Sequence, residues 1–259
     1  MSNYCKICNL IEESTGSKKS EANGDYVEKK EAKDGSGKVL ESYEASKKMD
    51  TSGTVTEYEK SINRDGSSSE LKIIKDRSSG EEEISVVKTL TTPEGVTTGY
   101  EYTGKPDGSL ILDNLSIDDV QAEKNLFEAV LDKLAGKLFN ADKTSLVVPD
   151  TVTGPAKESF KVTEIGRRAL NGLKVDSVTL PDSIVKIDTE AFKDCGITEL
   201  NITGKVTKKL FAKNALKGNG TGKKGKGLVI RAASKKDQKL MDKLLKKAGA
   251  QKAKVKVSE

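Results

Sequence analysis

The chain of 259 residues contains no histidine and no tryptophan, three cysteines and five prolines, and aromatics make up only 4% of it. Without histidine, a Ser-His-Asp triad and a histidine-ligated metal are both excluded. A tetrahedral zinc site needs four ligands. Cys5-x-x-Cys8 supplies two, and Cys195 is the only other cysteine. Cys5 and Cys8 are thus compatible with half a metal site, a redox pair, two plain thiols or, after export, an intermolecular disulfide. No apolar run reaches 18 residues, so no transmembrane helix is expected. The first residues show no basic segment followed by an apolar one. On that basis the chain is either cytoplasmic or without its original leader. With 34% hydrophobic and 33% charged residues, any core should be thin.

What the chain does have is a repeat. Val162–Leu173 aligns with Ile184–Cys195 at an offset of 22, so that Ile165, Ala169, Leu170 and Leu173 fall on Ile187, Ala191, Phe192 and Cys195. Strand-like Val178-Thr-Leu180 falls the same way on Leu200-Asn-Ile202. A period in the twenties marks a solenoid, whose units cannot bury their apolar faces alone and must stack. Leu180-Pro-Asp-Ser-Ile-Val-Lys-Ile-Asp-Thr-Glu-Ala-Phe-Lys-Asp-Cys195 resembles the leucine-rich repeat of BspA-like surface proteins of bacteria and protists. Leu146-Val-Val-Pro-Asp-Thr-Val-Thr153 opens in the same way and is interrupted by 154–161. The resemblance covers about residues 145–259.

After Ile202 the register drifts. Val206 is still 22 beyond Ile184, but 210–216 is displaced and a glycine-rich stretch, 218–227, lengthens the connection. Leu228-Val-Ile230 restores a strand at an expected offset of 28 from Leu200. Ser234 is a good N-cap for a helix with Leu240, Met241, Leu244, Leu245 and Ala248 on one face and Gly249 as its stop. With Val255-Lys-Val257 as a last strand, this reads as the terminal cap of the array. Gly220-x-Gly222-x-x-Gly225 matches the dinucleotide fingerprint only formally, because a strand rather than a helix follows it.

The first half has another organisation. Turn signals at 34–37, 50–53, 65–66, 78–80, 93–95 and 107–108 separate segments of β-branched and alternating residues, as hairpins require. Residues 24–112 are therefore expected to form an antiparallel meander of six or seven strands, with one face wholly solvated or little core on either. Ser116-Ile-Asp-Asp119 reads as an N-cap with an acidic first turn, opening a helix to about Leu138 whose apolar stripe includes Val120, Leu126, Phe127, Val130, Leu131 and Leu134. The expected fold class is α+β: a flexible segment 1–23, a β-meander domain 24–115, a linking helix 116–140, and a leucine-rich-repeat domain 145–259 with a helical C-terminal cap from about 228.

Charge is segregated. From Lys205 to Glu259 there are 18 Lys and Arg against 3 Asp and Glu, a net of +15, leaving −10 for residues 1–204. The basic end can attract anionic partners or the acidic half of another copy. One aromatic in that region, Phe211, makes sequence-specific nucleic-acid recognition a poor fit, although nonspecific binding in vitro is expected. Carboxylates such as Glu81-Glu-Glu83 are abundant, but no motif pairs an acid with a base.

These readings combine into a non-enzymatic binding protein needing no cofactor and no metal. The resemblance implies a bacterial cell-surface or secreted protein in adhesion, with a protein or anionic glycan as ligand. The expected contacts are Ser177, Thr179, Glu199, Asn201 and Thr203 near the repeat strands, with Lys223, Lys224 and Lys226. The alternatives are a self-assembling structural subunit and a carboxylate-based glycan hydrolase.

Overall fold

The computed structural model describes residues 13–119, 145–220 and 225–257. Eight strands form an antiparallel meander in chain order: β1 (Glu13–Ser20), β2 (Tyr26–Lys33), β3 (Val39–Met49), β4 (Val55–Ile62), β5 (Ser68–Asp76), β6 (Glu83–Thr91), β7 (Val96–Gly104) and β8 (Leu110–Asp119). The hairpin turns share a chemistry. At Asp34–Lys38 the Gly37 N–H donates to the Asp34 carbonyl at 2.9 Å, and Gly37 takes a φ of 84° that only glycine adopts at no steric cost. Asp34 Oδ1 accepts from the Ser36 and Lys38 N–H groups at 2.9 and 3.1 Å, and Asp50 does the same for Ser52 and Thr54. An aspartate that binds its own turn this way favours the bend before any strand is paired.

The buried positions of β3–β7 all lie on one face. Ala45, Val55, Glu57, Leu71, Ile73, Lys75, Ile84, Val86, Thr98, Tyr100 and Tyr102 are in cross-strand register on that face, and the other face is solvated. Toward β1 the core disappears from both sides. Among the described side chains, β1 and β2 bury none and β3 buries only Ala45. The cross-strand side-chain contacts there are at the surface: Lys29–Glu44 at 3.0 Å, and Lys18 and Lys30 over the rings of Tyr26 and Tyr43 at 5.2 and 5.3 Å. Each such contact is weak. The ladder hydrogen bonds therefore dominate this single-layer part.

The repeat region adds β9 (Ser145–Val147), β10 (Thr151–Thr153), β11 (Ser159–Ile165), β12 (Ser177–Leu180), β13 (Lys186–Ile187), β14 (Glu199–Ile202), β15 (Val229–Ala232), α1 (Lys235–Ala248) and β16 (Lys254–Val257). One five-stranded parallel sheet runs β16-β15-β14-β12-β9. Ser177 to Leu180 pair with Glu199 to Ile202 residue by residue, at the 22-residue offset of the sequence repeat. On the opposite side of each unit Ile187 pairs with Ile165, and Ile165 with Leu112 of β8. β8 thus takes the place of a preceding unit. Gly166 N–H donates to the Leu112 carbonyl at 2.7 Å, as Asp188 N–H does to Ile165 one unit later at 2.9 Å. The meander closes one end of the stack, and a single apolar cluster runs from Leu71 to Ala250 through both.

Several expectations are corrected. The described residues are not α+β but nearly all sheet, with α1 as their one helix. Ser116, Ile117, Asp118 and Asp119 do not cap a linking helix; they extend β8, paired with Gly99, Thr98, Thr97 and Val96. The remainder of that expected helix, from Val120 to Leu138, lies outside the described residues. β1 occupies part of the stretch expected to be flexible, which gives eight meander strands, and β8 continues past the expected boundary at 115. Leu200 pairs with Ile230, an offset of 30 rather than 28. The drift after Val206 is a two-residue insertion: Phe211 pairs with Ile187, and Phe192 N–H donates to the Ala215 carbonyl. Within the cap, α1 has the expected ends: Ser234 accepts from Asp237 N–H, and Gly249 stops the helix at a φ of 81°.

The insertion 154–161 makes the β10–β11 hairpin, which leans on the buried face of the meander. There Lys75 is ion-paired with Glu57, at 3.2 Å, and with Glu158, and its ammonium lies 5.5 Å from the Phe160 ring centre. Burial works against the charge on Lys75, but the hydrogen bonds it donates to Glu158 and Glu57 outweigh it and raise its pKa. A second tie, Glu164, joins Lys105 of the β7–β8 turn at 2.9 Å to Lys186 of β13 at 3.1 Å. Burial pushes the Glu164 carboxyl up, yet the two lysines overcompensate and hold it below its usual range. A depressed folded-state pKa stabilises fully above the unfolded value, about 4.3, and that stability is lost as pH falls through the folded value. Glu164→Gln should therefore cost up to about 1 kcal/mol at pH 7 and less at about pH 3, below the unfolded value, where protonation weakens the ion pairs. Urea titrations at the two pH values check this; an equal loss at both would refute the linkage.

Candidate functional site: the outward face of the parallel sheet

Alternation along the five-stranded sheet sorts its residues into two sets. Leu146, Val178, Leu200, Ile230 and Val255 form the inward row; the first four are fully buried and Val255 packs against the same core. The outward rows on either side are Ser145, Ser177, Glu199, Val229 and Lys254, and Val147, Thr179, Asn201, Arg231 and Lys256. Each row crosses five strands at the sheet spacing of roughly 4.8 Å, so it spans about 19 Å. The rows change character along the stack, from hydroxyls at β9 and β12 to lysines at β16.

Contacts within the rows are polar. Asn201 Nδ2 donates to Thr179 Oγ1 at 3.3 Å, Ser145 and Ser177 hydroxyls are 3.4 Å apart, and Arg231 is ion-paired with Glu199. Asn201 Oδ1 is buried without a hydrogen-bond partner. The amide is therefore held within the row, with only part of its side chain open to solvent.

Four of the residues expected from sequence as contacts, Ser177, Thr179, Glu199 and Asn201, therefore lie together on this face. Ser177 is buried and the other three are half-buried. Thr203 is exposed just beyond β14, with its hydroxyl donating to the Leu180 carbonyl at 3.0 Å. Lys226 is exposed in the connection before β15, away from the rows, and Lys223 and Lys224 lie outside the described residues. Sequence reasoning missed Arg231, Lys254 and Lys256, because their place in the rows depends on the 30-residue offset of β15 and on β16 pairing in parallel.

The interior shows what ties successive units together. Asn219, fully buried, accepts from Ile197 N–H at 3.0 Å and donates to the Phe192 and Leu216 carbonyls at 2.5 and 3.1 Å. One unit earlier the equivalent position is Cys195, whose thiol donates to the Leu170 carbonyl at 2.7 Å. Burial pushes the Cys195 thiol up to about 12, so it is a structural donor rather than a nucleophile. The leucine-rich pattern places Asn or Cys here, a signal that could have singled out Asn219 in the sequence.

Catalytic and metal chemistry find little support elsewhere. No group of three or more His, Cys, Asp or Glu among the described residues is placed to hold a metal ion. Cys5 and Cys8 lie outside the described residues. A cleft of about 570 Å³ at one end of the meander is lined by Ser61, Asn63, Asp65, Ser69 and Glu94 among others. Its Asp65 is committed to its own turn, accepting from Ser67 N–H and hydroxyl at 2.9 and 2.7 Å, contacts that hold its carboxyl below the usual range. Past the glycine-rich connection comes β15, not a helix, so no helix N-terminus faces those glycines as a dinucleotide site requires. Among the described residues no helix is long and apolar enough to cross a membrane.

A family profile described as "BspA type Leucine rich repeat region (6 copies)" matches residues 156–217. Among solved structures, a leucine-rich repeat protein from Bacteroides capillosus ATCC 29799 is similar at 18% identity, covering 62% of this chain and 94% of that one, with a TM-score of 0.36. No curated protein matches. With the 22-residue register, the Asn/Cys position and the profile in agreement, residues 156–217 are a BspA-type leucine-rich repeat region.

Proposed function

We propose that the chain is a non-enzymatic binding protein, exposed at a cell surface or secreted, that recognises a protein partner through the outward face of its parallel sheet. The observation that carries this reading is the pair of polar rows flanking a fully apolar inward row. The backbone beneath is held by ladders and by Asn219, so docking a partner orders little new chain. Asn201 and the adjoining Thr179 and Glu199 form the centre of the contact. BspA-type regions serve as repeat scaffolds, and their usual association with surfaces supports adhesion as the setting.

The test is binding of the whole chain to a panel of immobilised extracellular-matrix proteins by biolayer interferometry. Thr179→Arg, placed beside Asn201, should weaken any specific interaction at least about tenfold, the loss typical of a residue central to an interface. A Lys33→Glu change on the meander should leave it unaltered. Equal loss from both, or undiminished binding by Thr179→Arg, would overturn the reading.

Charge segregation favours a second reading, self-assembly of the acidic half of one copy onto the basic end of the next. Light scattering at about 50 and about 500 mM salt, where the screening length changes several-fold, separates the two. A salt-sensitive oligomer supports assembly, and a monomer at both leaves the basic end for another partner.

A further inference from the structure

Besides its two sheets, each repeat unit presents a turn, and the turns of successive units are hydrogen-bonded into a column. Arg168 and Leu170 N–H groups donate to Thr189 and Ala191, Phe192 and Asp194 to Ala215 and Lys217, and Asn214 and Leu216 to Lys247 and Ala248 at the end of α1. These bonds run 2.9–3.2 Å, so neighbouring turns lie in direct backbone contact.

Charges along this column are compensated at one end and not at the other. Arg168 is paired with Glu190 at 2.8 Å, and Lys193 with the same carboxylate at 3.6 Å. The next two steps bring Lys213 and Lys217 of one turn against Lys246 and Lys247 of the last turn of α1. The Gly249 that stops α1 would place a Cβ 3.1 Å from Lys217 Cβ, which fixes how close the two turns are. All four lysines are exposed. Among the described residues none of the four makes an ion pair, although Asp194 and Asp242 are on neighbouring turns. Four exposed lysines from positions some 30 residues apart thus share two adjoining turns, beside the end of α1, where the helix dipole favours cations. They leave positive charge there for an anionic ligand to neutralise.

We propose that this turn edge, centred on Lys213, Lys217, Lys246 and Lys247, binds a linear polyanionic glycan carrying sulfate or phosphate groups. The four lysines sit on two adjoining turns about 4.8 Å apart, a separation that neighbouring anionic groups of an extended chain can bridge. Flexible lysines suit such a ligand better than a folded protein, because each pairs as a point charge without demanding fixed geometry. Nucleic acid fits less well: Phe211, the aromatic of this region, is fully buried, so no base can stack on it. The site is separate from the outward sheet face, and either can fail without the other.

The test is affinity of the full chain for two probes, heparin for sulfate and a poly(glycerol phosphate) for phosphate, by isothermal calorimetry between about 50 and 200 mM salt, where counterion release makes polyanion binding steepest. The variant Lys213→Gln/Lys217→Gln/Lys246→Gln/Lys247→Gln is compared with Lys205→Gln/Lys235→Gln/Lys236→Gln/Lys239→Gln. The second set removes the same charge around the opposite end of α1, where Val206 N–H donates to Asp237. The first variant should lose at least about tenfold in affinity and flatten the salt dependence, and the second less than about threefold. Preference for one probe identifies the anionic group. Equal losses from both variants would show a mere net-charge effect and overturn the site, as would no binding of either probe. Tighter binding of a single-stranded DNA of equal charge would overturn the glycan assignment. Circular dichroism of both variants confirms that they are folded.

Discussion

Replacing Asn219 by alanine should lower stability by about 3 kcal/mol or more. The side chain is fully buried and closes three backbone groups: the N–H of Ile197 and the carbonyls of Phe192 and Leu216. Each buried group left without a partner costs about 1–3 kcal/mol. Asn219→Cys should fall between, since a thiol donates one of these bonds as Cys195 does to Leu170 one unit earlier. Equilibrium urea denaturation measures both. A loss within about 0.5 kcal/mol of zero for the alanine variant, inside the usual scatter of surface substitutions, would mean that the Asn/Cys position does not carry the stack.

The second large effect is expected at the joint between the meander and the inserted hairpin. Lys75→Met should destabilise by about 3–5 kcal/mol, because it strands a buried charge. Glu57 is wholly inaccessible, one of its carboxylate oxygens already has no partner, and Lys75 is its ion-pair partner on the neighbouring strand. Glu158, by contrast, is nearly half exposed and would return to water. The combined Glu57→Gln/Lys75→Met variant should recover most of the loss, since removing both charges is far cheaper than removing one. Denaturation of the single and double variants decides it: a double no more stable than Lys75→Met would show that packing on Phe160, not charge, holds the hairpin. Limited proteolysis within 154–158 offers an independent readout, because a hairpin released from the sheet becomes a substrate.

Neither residue was singled out in the sequence: the repeat pattern could have marked Asn219, but nothing local marks Glu57 or Lys75. The turns were readable because their causes are local: an aspartate that caps its own bend and a glycine at positive φ, as at Asp34–Gly37. The 22-residue repeat was readable because identical geometry demands apolar residues at identical places, and Ser177–Leu180 and Glu199–Ile202 do pair at that offset. α1 was readable from Ser234, Gly249 and the spacing of Met241, Leu244, Leu245 and Ala248. The reading of Ser116–Asp119 as a helix start failed for the converse reason. Those residues have the local chemistry of an N-cap, but pairing with β7, through partners about twenty residues away, overrides that preference, as tertiary context commonly does.

The candidate site divides in the same way. Alternation alone was enough to put Thr179, Glu199 and Asn201 near the strands as contacts. That they share one face with Arg231, Lys254 and Lys256 follows from a 30-residue offset and a parallel edge strand, neither of which has a local signal. The lysine edge is further still from the sequence, because Lys213 and Lys217 meet Lys246 and Lys247 only when the last turn of α1 hydrogen-bonds to residues 214 and 216.

By itself, then, the order of residues determined the local and periodic features: hairpin turns, the repeat and its family, the helix of the cap, and the separation of acidic from basic halves. Each arises from interactions within a few residues or from a period repeated along the chain. Tertiary structure alone decided that β8 serves as the missing repeat unit, that meander and repeats share one core, and that Glu57 lies buried against Lys75. It also decided which polar residues form a common face. These depend on which distant segments pair, and pairing is settled by the burial of the whole apolar surface at once rather than by any segment's own preference.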